Sequence, residues 1–173
     1  CFPEHNSRDK TSLYRDKHFE IEERIVVNYP DEISGLSFMG NEIAVVGDST
    51  PDYLASWPSG DKTIFPFKIG DVESIDTVVD ESGYQHYLVI DENTGSLIDS
   101  SGASYQFKAS FAEICQRGIE GVTIKRENGD WRVAVVWEGG YYSTKNNCVV
   151  KNNTPVVAVL KWEFGKGIIG EPE

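Results

Sequence analysis

Positive charge is in short supply in this sequence. Lys and Arg total 16 against 28 Asp and Glu, a formal net charge of −12. Proteins that track nucleic-acid phosphates present basic faces, so nucleic acid is not an expected partner. Long apolar runs are also missing. The longest, Val133–Trp137 and Val156–Leu160, are strand-sized, well short of the ~18 residues that a membrane-spanning helix needs. Cysteine is confined to Cys1, Cys115 and Cys148, whose spacing fits no zinc motif. Of the histidines His5, His18 and His86, the first two lie in a polar N-terminal stretch. Neither a Gly-x-Ser-x-Gly elbow nor a Ser–His–Asp spacing occurs. His86 therefore reads as an ordinary hydrogen-bonded residue rather than a general base. No segment of useful length carries the 3.6-residue apolar period of an amphipathic helix.

What is present is a β-repeat. Ile33–Phe38, a turn at Met39–Asn41 and Glu42–Asp48 form its first copy. Val72–Val79, a turn through Asp80–Gly83 and His86–Asp91 form the second. Ile119–Ile124, a turn at Glu127–Asp130 and Trp131–Glu138 form the third. Each is an apolar strand, a turn and a more hydrophobic strand ending in an acid. Asn128-Gly129 is a good hairpin signal, since Gly tolerates positive φ. The second strands are nearly continuous runs of β-branched and aromatic residues, the pattern of strands buried on both faces.

Ser34, Glu73 and Glu120 hold equivalent positions, 39 and then 47 residues apart. A four-stranded propeller blade takes roughly 40–50 residues. Weaker outer strands follow: Tyr53–Trp57 and Thr63–Lys68 in the first copy, Ser96–Asp99 and Tyr105–Ala109 in the second. In the third, Pro155–Phe164 reads as an outer strand after the loop Gly139–Thr154, with no convincing fourth strand. Glu23–Asn28 reads as a further strand ahead of the first hairpin. The expected fold is all-β, a β-propeller-like array of antiparallel four-stranded blades, about three in number and thus incomplete. Its domain spans residues 23–173 behind a polar N-terminal segment, 1–22. A β-sandwich or other antiparallel fold is the alternative.

Antiparallel pairing sets the start of each first strand beside the end of its second. Glu73 is then expected near Asp91, Glu120 near Glu138 and Ser34 near Asp48, all around one mouth. Crowded carboxylates raise one another's pKa unless a cation neutralises them. Oxygen donors of this kind suit Ca²⁺, which takes six to eight. The expected metal residues are Glu73, Asp91, Glu120, Glu138 and Asp48, with Ca²⁺ as the cofactor. The competing reading has each acid capping a turn or pairing with a cation such as Arg117. Tyr141 and Tyr142 follow Gly139-Gly140 at the same mouth and are candidates to line a ligand site, against plain blade packing. Cys115 precedes the third hairpin and Cys148 follows it. They are either a disulfide in an oxidising compartment or two free thiols.

Ile33-Ser34-Gly35-Leu36 and Ile119-Glu120-Gly121-Val122, each paired with a strand ending in Asp or Glu, resemble the SdiA-regulated and esterase-like phytase group of bacterial β-propellers. The resemblance runs from about Ile25 to Phe164, carried chiefly by Leu36–Asp48 and Ile119–Gly139. It implies a propeller, a calcium site and a relationship to phosphoester hydrolases. Complete members are expected to have about six blades, within the usual propeller range. This chain then reads as a fragment, or as a chain whose copies self-associate to complete a ring. Cys1 reads either as the lipidated first residue of a mature bacterial lipoprotein, tethered through Phe2–Lys17, or as a fragment boundary. The functional expectation is an envelope-located (periplasmic or lipid-anchored) or secreted binding or scaffold domain for a small molecule or protein. The alternative is a metal-dependent phytase-like phosphoesterase.

Overall fold

The computed structural model describes residues 32–48, 53–107, 119–137, 142–143, 148–149 and 156–169. Among these there is no helix, and three antiparallel four-stranded sheets carry the fold. Blade one is β1 (Ile33–Met39), β2 (Glu42–Gly47), β3 (Tyr53–Trp57) and β4 (Lys62–Ile64), hydrogen-bonded in that order. Blade two repeats the meander with β5 (Val72–Val79), β6 (Gln85–Asp91), β7 (Ser96–Asp99) and β8 (Ser104–Gln106). Blade three is built from β9 (Ile119–Glu127) and β10 (Asp130–Trp137), then β13 (Val156–Glu163) and β14 (Gly167–Ile168). A two-stranded ribbon, β11 (Tyr142–Ser143) with β12 (Cys148–Val149), interrupts that blade between its second and third strands. The protein is thus an all-β array of propeller-like blades.

The three hairpins expected from the sequence are all present. Asn128 and Gly129 have φ of 53° and 89° in the two-residue turn joining Glu127 to Asp130, the primed geometry that suits twisted strands. Blade three does have a fourth strand, contrary to the sequence reading. β14 has only two residues, too few to carry an alternating pattern, and it is placed by pairing with Trp162 and Glu163. The strand expected over Glu23–Asn28 and the N-terminal segment 1–22 lie outside the described residues.

The continuous apolar second strand of blade two is buried on both faces, as its composition predicts. Leu88 and Ile90 join the core shared with blade three, where they meet Val133, Val135, Trp137, Leu160 and Trp162. Tyr87 and Val89 alternate with them into the core shared with blade one, beside Ala44, Val46 and Leu54. A strand whose two faces divide between two cores has no solvent face to make polar.

The first strands of the three blades also touch. Asp76, half-buried on β5, bridges its neighbours on both sides. Its Oδ1 accepts from Ser37 Oγ of β1 (2.9 Å), and its Oδ2 accepts from Ile124 N (2.8 Å) and Thr123 Oγ1 (3.1 Å) of β9. Ser37, Asp76 and Thr123 are the same position of the repeat. Ser34 Oγ also donates to the Val72 carbonyl of the next blade, and Val122 N donates to Ser74 Oγ at 3.3 Å.

Gly35 allows this close approach. A Cβ built there would lie 3.0 Å from Ser74 Cα, Ile75 N and Val46 Cγ2, and two of those atoms are backbone. Gly35→Ala is therefore expected to cost about 1–3 kcal/mol through overpacking, measured as a lowered urea midpoint with an unchanged m-value.

Candidate cation-binding mouth

The hairpin registers contain one irregularity three times. Ile33 pairs with Gly47 but Gly35 with Val46, leaving Ser34 as an extra residue. Val72 pairs with Asp91 but Ser74 with Ile90, leaving Glu73. Ile119 pairs with Trp137 but Gly121 with Val136, leaving Glu120. A β-bulge re-aims the side chain it carries, and bulges gather beside functional sites. Here the bulge recurs at the position that bears Ser34, Glu73 and Glu120, at one end of the array.

Around Glu73 the acids converge. One carboxylate oxygen each from Asp48, Asp71 and Glu73 lie within 4.8 Å of one another, and all three residues are half-buried. Asp48 follows β2 directly, Asp71 precedes β5, and Glu73 occupies the bulge, so two blades contribute. Glu92 N donates to the Asp71 carbonyl at 2.9 Å, fixing the loop after β6 against the residue before β5. The Glu73 carboxyl is pushed up to about 7, first by burial and then by the negative charges of Asp48, Glu120, Asp71 and Glu92. Oxygens bound to one Ca²⁺ at about 2.3–2.6 Å stand at up to twice that distance from each other, which matches the spread of these three. Water would fill the remaining positions of a six- to eight-coordinate shell.

Of the expected metal residues, Glu73 and Asp48 meet in this cluster, while Glu120 is exposed, lies outside it and acts on Glu73 only through its charge. Asp91 is not part of the cluster either. It is 3% exposed, and its carboxylate accepts from Asn93 N (3.2 Å) and Thr94 Oγ1 (2.8 Å), closing its own turn. The registers align Asp91 with Gly47 and Trp137; Glu92, one residue on, is the equivalent of Asp48 and Glu138. Two adjacent acids at the strand end, together with a β5–β6 turn longer than the other two, concealed that one-residue offset. The sequence reading also missed Asp71. Its signal was an acid immediately before a first strand, found again at Glu32 before Ile33.

Glu138, Tyr141, Cys115 and Cys1 lie outside the described residues. Tyr142 and Cys148 lie in the ribbon, where Tyr142 pairs with Val149 and Ser143 with Cys148. His86 sits at the opposite end of blade two from the acids, one residue inside the β5–β6 turn. Its Nε2 is 3.0 Å from Asp80 Oδ2, its Nδ1 is 3.5 Å from Ser100 Oγ, and its ring stacks on Phe164 at 4.2 Å. The hydrogen bond with His86 heads the causes that hold the Asp80 carboxyl below the usual carboxylate range.

The raised Glu73 pKa has a pH signature. Its folded value of about 7 exceeds the ordinary 4.5, so between those limits the folded state binds more protons than the unfolded. In EDTA, stability should rise as pH falls through 7, reach its full value below about 4.5, and be lost again as pH rises past 7. Discounted for solvent screening, the change is about 1–2 kcal/mol. Melts at pH 8 and pH 5.5 would read it, and Glu73→Gln should remove that difference.

Fold and site together define a class, an all-β array of propeller-like blades with an acidic mouth where consecutive first strands begin. No family model matches the chain, and no curated protein or solved structure matches it.

Proposed function

We propose that the protein is a β-propeller binding or scaffold domain whose acidic mouth holds Ca²⁺, set in the bacterial envelope or secreted. The convergence of Asp48, Asp71 and Glu73 from two blades carries this reading. A divalent cation there would neutralise the repulsion that raises Glu73, and would join the loop after β2 to the start of β5. Calcium would thus act as an inter-blade clamp, with partners meeting the blade edges and loops. The family resemblance points the same way.

The metal-dependent phosphoesterase is the second reading. Phosphate recognition draws on Arg and Lys. The ion-paired cations Lys125, Arg126, Arg132 and Lys161 flank the β9–β10 hairpin, at the end of the blades away from the acids. That placement favours binding over hydrolysis.

The test is a thermal melt in EDTA and again in excess Ca²⁺. A ligand at a hundredfold its Kd stabilises the folded state by about 2.7 kcal/mol, so a rise in Tm that is absent in Glu73→Gln supports the clamp. An identical Tm in both buffers would sink it. Ca²⁺-dependent cleavage of p-nitrophenyl phosphate that disappears in Glu73→Gln would move the assignment to the phosphoesterase.

A further inference from the structure

At the end of blade two away from the acids, three of its side chains gather around one imidazole. Asp80 stands in the β5–β6 turn, His86 is the second residue of β6, and Ser100 follows β7 directly. Antiparallel pairing explains the meeting. Ser100 N donates to the Tyr87 carbonyl at 3.0 Å, which sets Ser100 beside the residue that precedes Tyr87.

The hydrogen bonds give the group a direction. Asp80 Oδ1 accepts from Ser82 N (2.8 Å) and Tyr84 N (2.9 Å), so its own turn fixes the carboxylate. Asp80 Oδ2 lies 3.0 Å from His86 Nε2. A carboxylate only accepts, so Nε2 carries the proton, and in a neutral ring Nδ1 is then the acceptor. Ser100 Oγ lies 3.5 Å from that Nδ1. Contacts of a nucleophile with its base are often this long before substrate binds. Phe164 of blade three stacks on the ring at 4.2 Å and holds its plane. The His86 and Asp80 side chains are 23% and 27% exposed and Ser100 is half-buried, so a small molecule can reach the group.

Such a constellation is recognised by geometry and roles, not by order in the chain. We propose that Ser100 is a nucleophile toward small carboxylic esters of good leaving groups such as aryl oxides, with His86 as its general base and Asp80 orienting that base. Ser100 Oγ attacks the carbonyl carbon and its proton passes to His86 Nδ1. The aryl oxide leaves and takes that proton. Water then attacks the acyl-serine in the same way, releasing the carboxylic acid and restoring the hydroxyl.

The backbone around Ser100 sets the substrate class. Ser100 N donates to the Tyr87 carbonyl, Gly102 N to the Asp99 carbonyl, and Ser101 N and Ala103 N to Asp99 Oδ1. Backbone N–H groups are the usual material of an oxyanion hole, and these four are already engaged. The leaving group therefore has to supply the driving force. The group works apart from the acidic mouth and from any cation held there.

The test is labelling of the purified chain with a biotin-linked fluorophosphonate, read by peptide mass spectrometry. Ser100 Oγ bonds to phosphorus, fluoride leaves and the hydroxyl proton goes to His86. The adduct is expected on Ser100 and not on Ser101. Ser101 is the exposed hydroxyl next in the chain, donates to Asp99 and serves as the internal control. Ser100→Ala should abolish labelling and leave the melting curve unchanged. His86→Gln should slow labelling about a hundredfold, the lower end of what a general base contributes. A folded wild-type chain without an adduct on Ser100 overturns the proposal. So does equal labelling of Ser101, or a His86→Gln rate equal to that of the wild type.

Discussion

Asp99→Leu should lower stability by about 3–5 kcal/mol, the range for removing one partner of a buried charged network. For a chain of this size that means a drop in Tm of roughly 10 °C. Asp99 is fully buried at the end of β7, and its carboxylate has no spare capacity. Oδ1 accepts from Ser101 N (2.9 Å), Ala103 N (3.1 Å) and Ser101 Oγ, forming the turn into β8. Oδ2 accepts from Trp162 Nε1 (3.1 Å) and Gly165 N (2.9 Å) of blade three. Leucine fills the volume but leaves these donors without an acceptor, and each buried unsatisfied donor costs about 1–3 kcal/mol.

Asp99→Asn separates the two halves of this network. The amide oxygen can still serve the turn, while its NH₂ faces the Trp162 and Gly165 donors. About 2–3 kcal/mol of loss is expected, the range for a hydrogen bond to a charged group plus an orphaned donor. Trp162→Phe removes one of the opposed donors. It should therefore cost less in the Asp99→Asn background than in the wild type, a coupling that a double-mutant cycle measures. Equal costs in both backgrounds would show that Asp99 and Trp162 act independently.

Asp76→Ala should cost about 2–3 kcal/mol. The figure is smaller because the site is half-buried and water can replace part of what is lost. Its distinguishing signature is local. Ile124 N donates to Asp76, so its amide should exchange faster with solvent in the variant, while amides of the β6–β7 ladder stay protected. Ser37→Ala removes one donor and leaves Asp76 with three others, so its cost should stay near 1 kcal/mol. A uniform rise in exchange across all three blades would instead mean that they unfold as one unit.

Both aspartates sat in plain view in the sequence without announcing these roles. Asp76 lies inside an expected strand and Asp99 ends another, and each looks like an ordinary polar residue after an apolar one. The donors that reach them from other blades lie 39 to 66 residues away in sequence, beyond the reach of any local pattern. The mouth was visible in outline for a related reason. Hairpin pairing placed Glu73, Glu120 and Asp48 at one end, but the choice among Asp71, Asp91 and Glu92 depended on the bulge and on turn length.

The sequence by itself determined the all-β class, the three hairpins, the tight turn at Asn128-Gly129 and the burial of β6 on both faces. These follow from side-chain period and turn chemistry, which act between residues close in the chain. Only the tertiary structure decided which acids meet, that Asp91 closes its own turn, that Asp76 and Asp99 join blades, and that β14 completes the third. Each of these depends on packing one blade against the next, or on a register in which a single residue more or less turns a side chain to the other face.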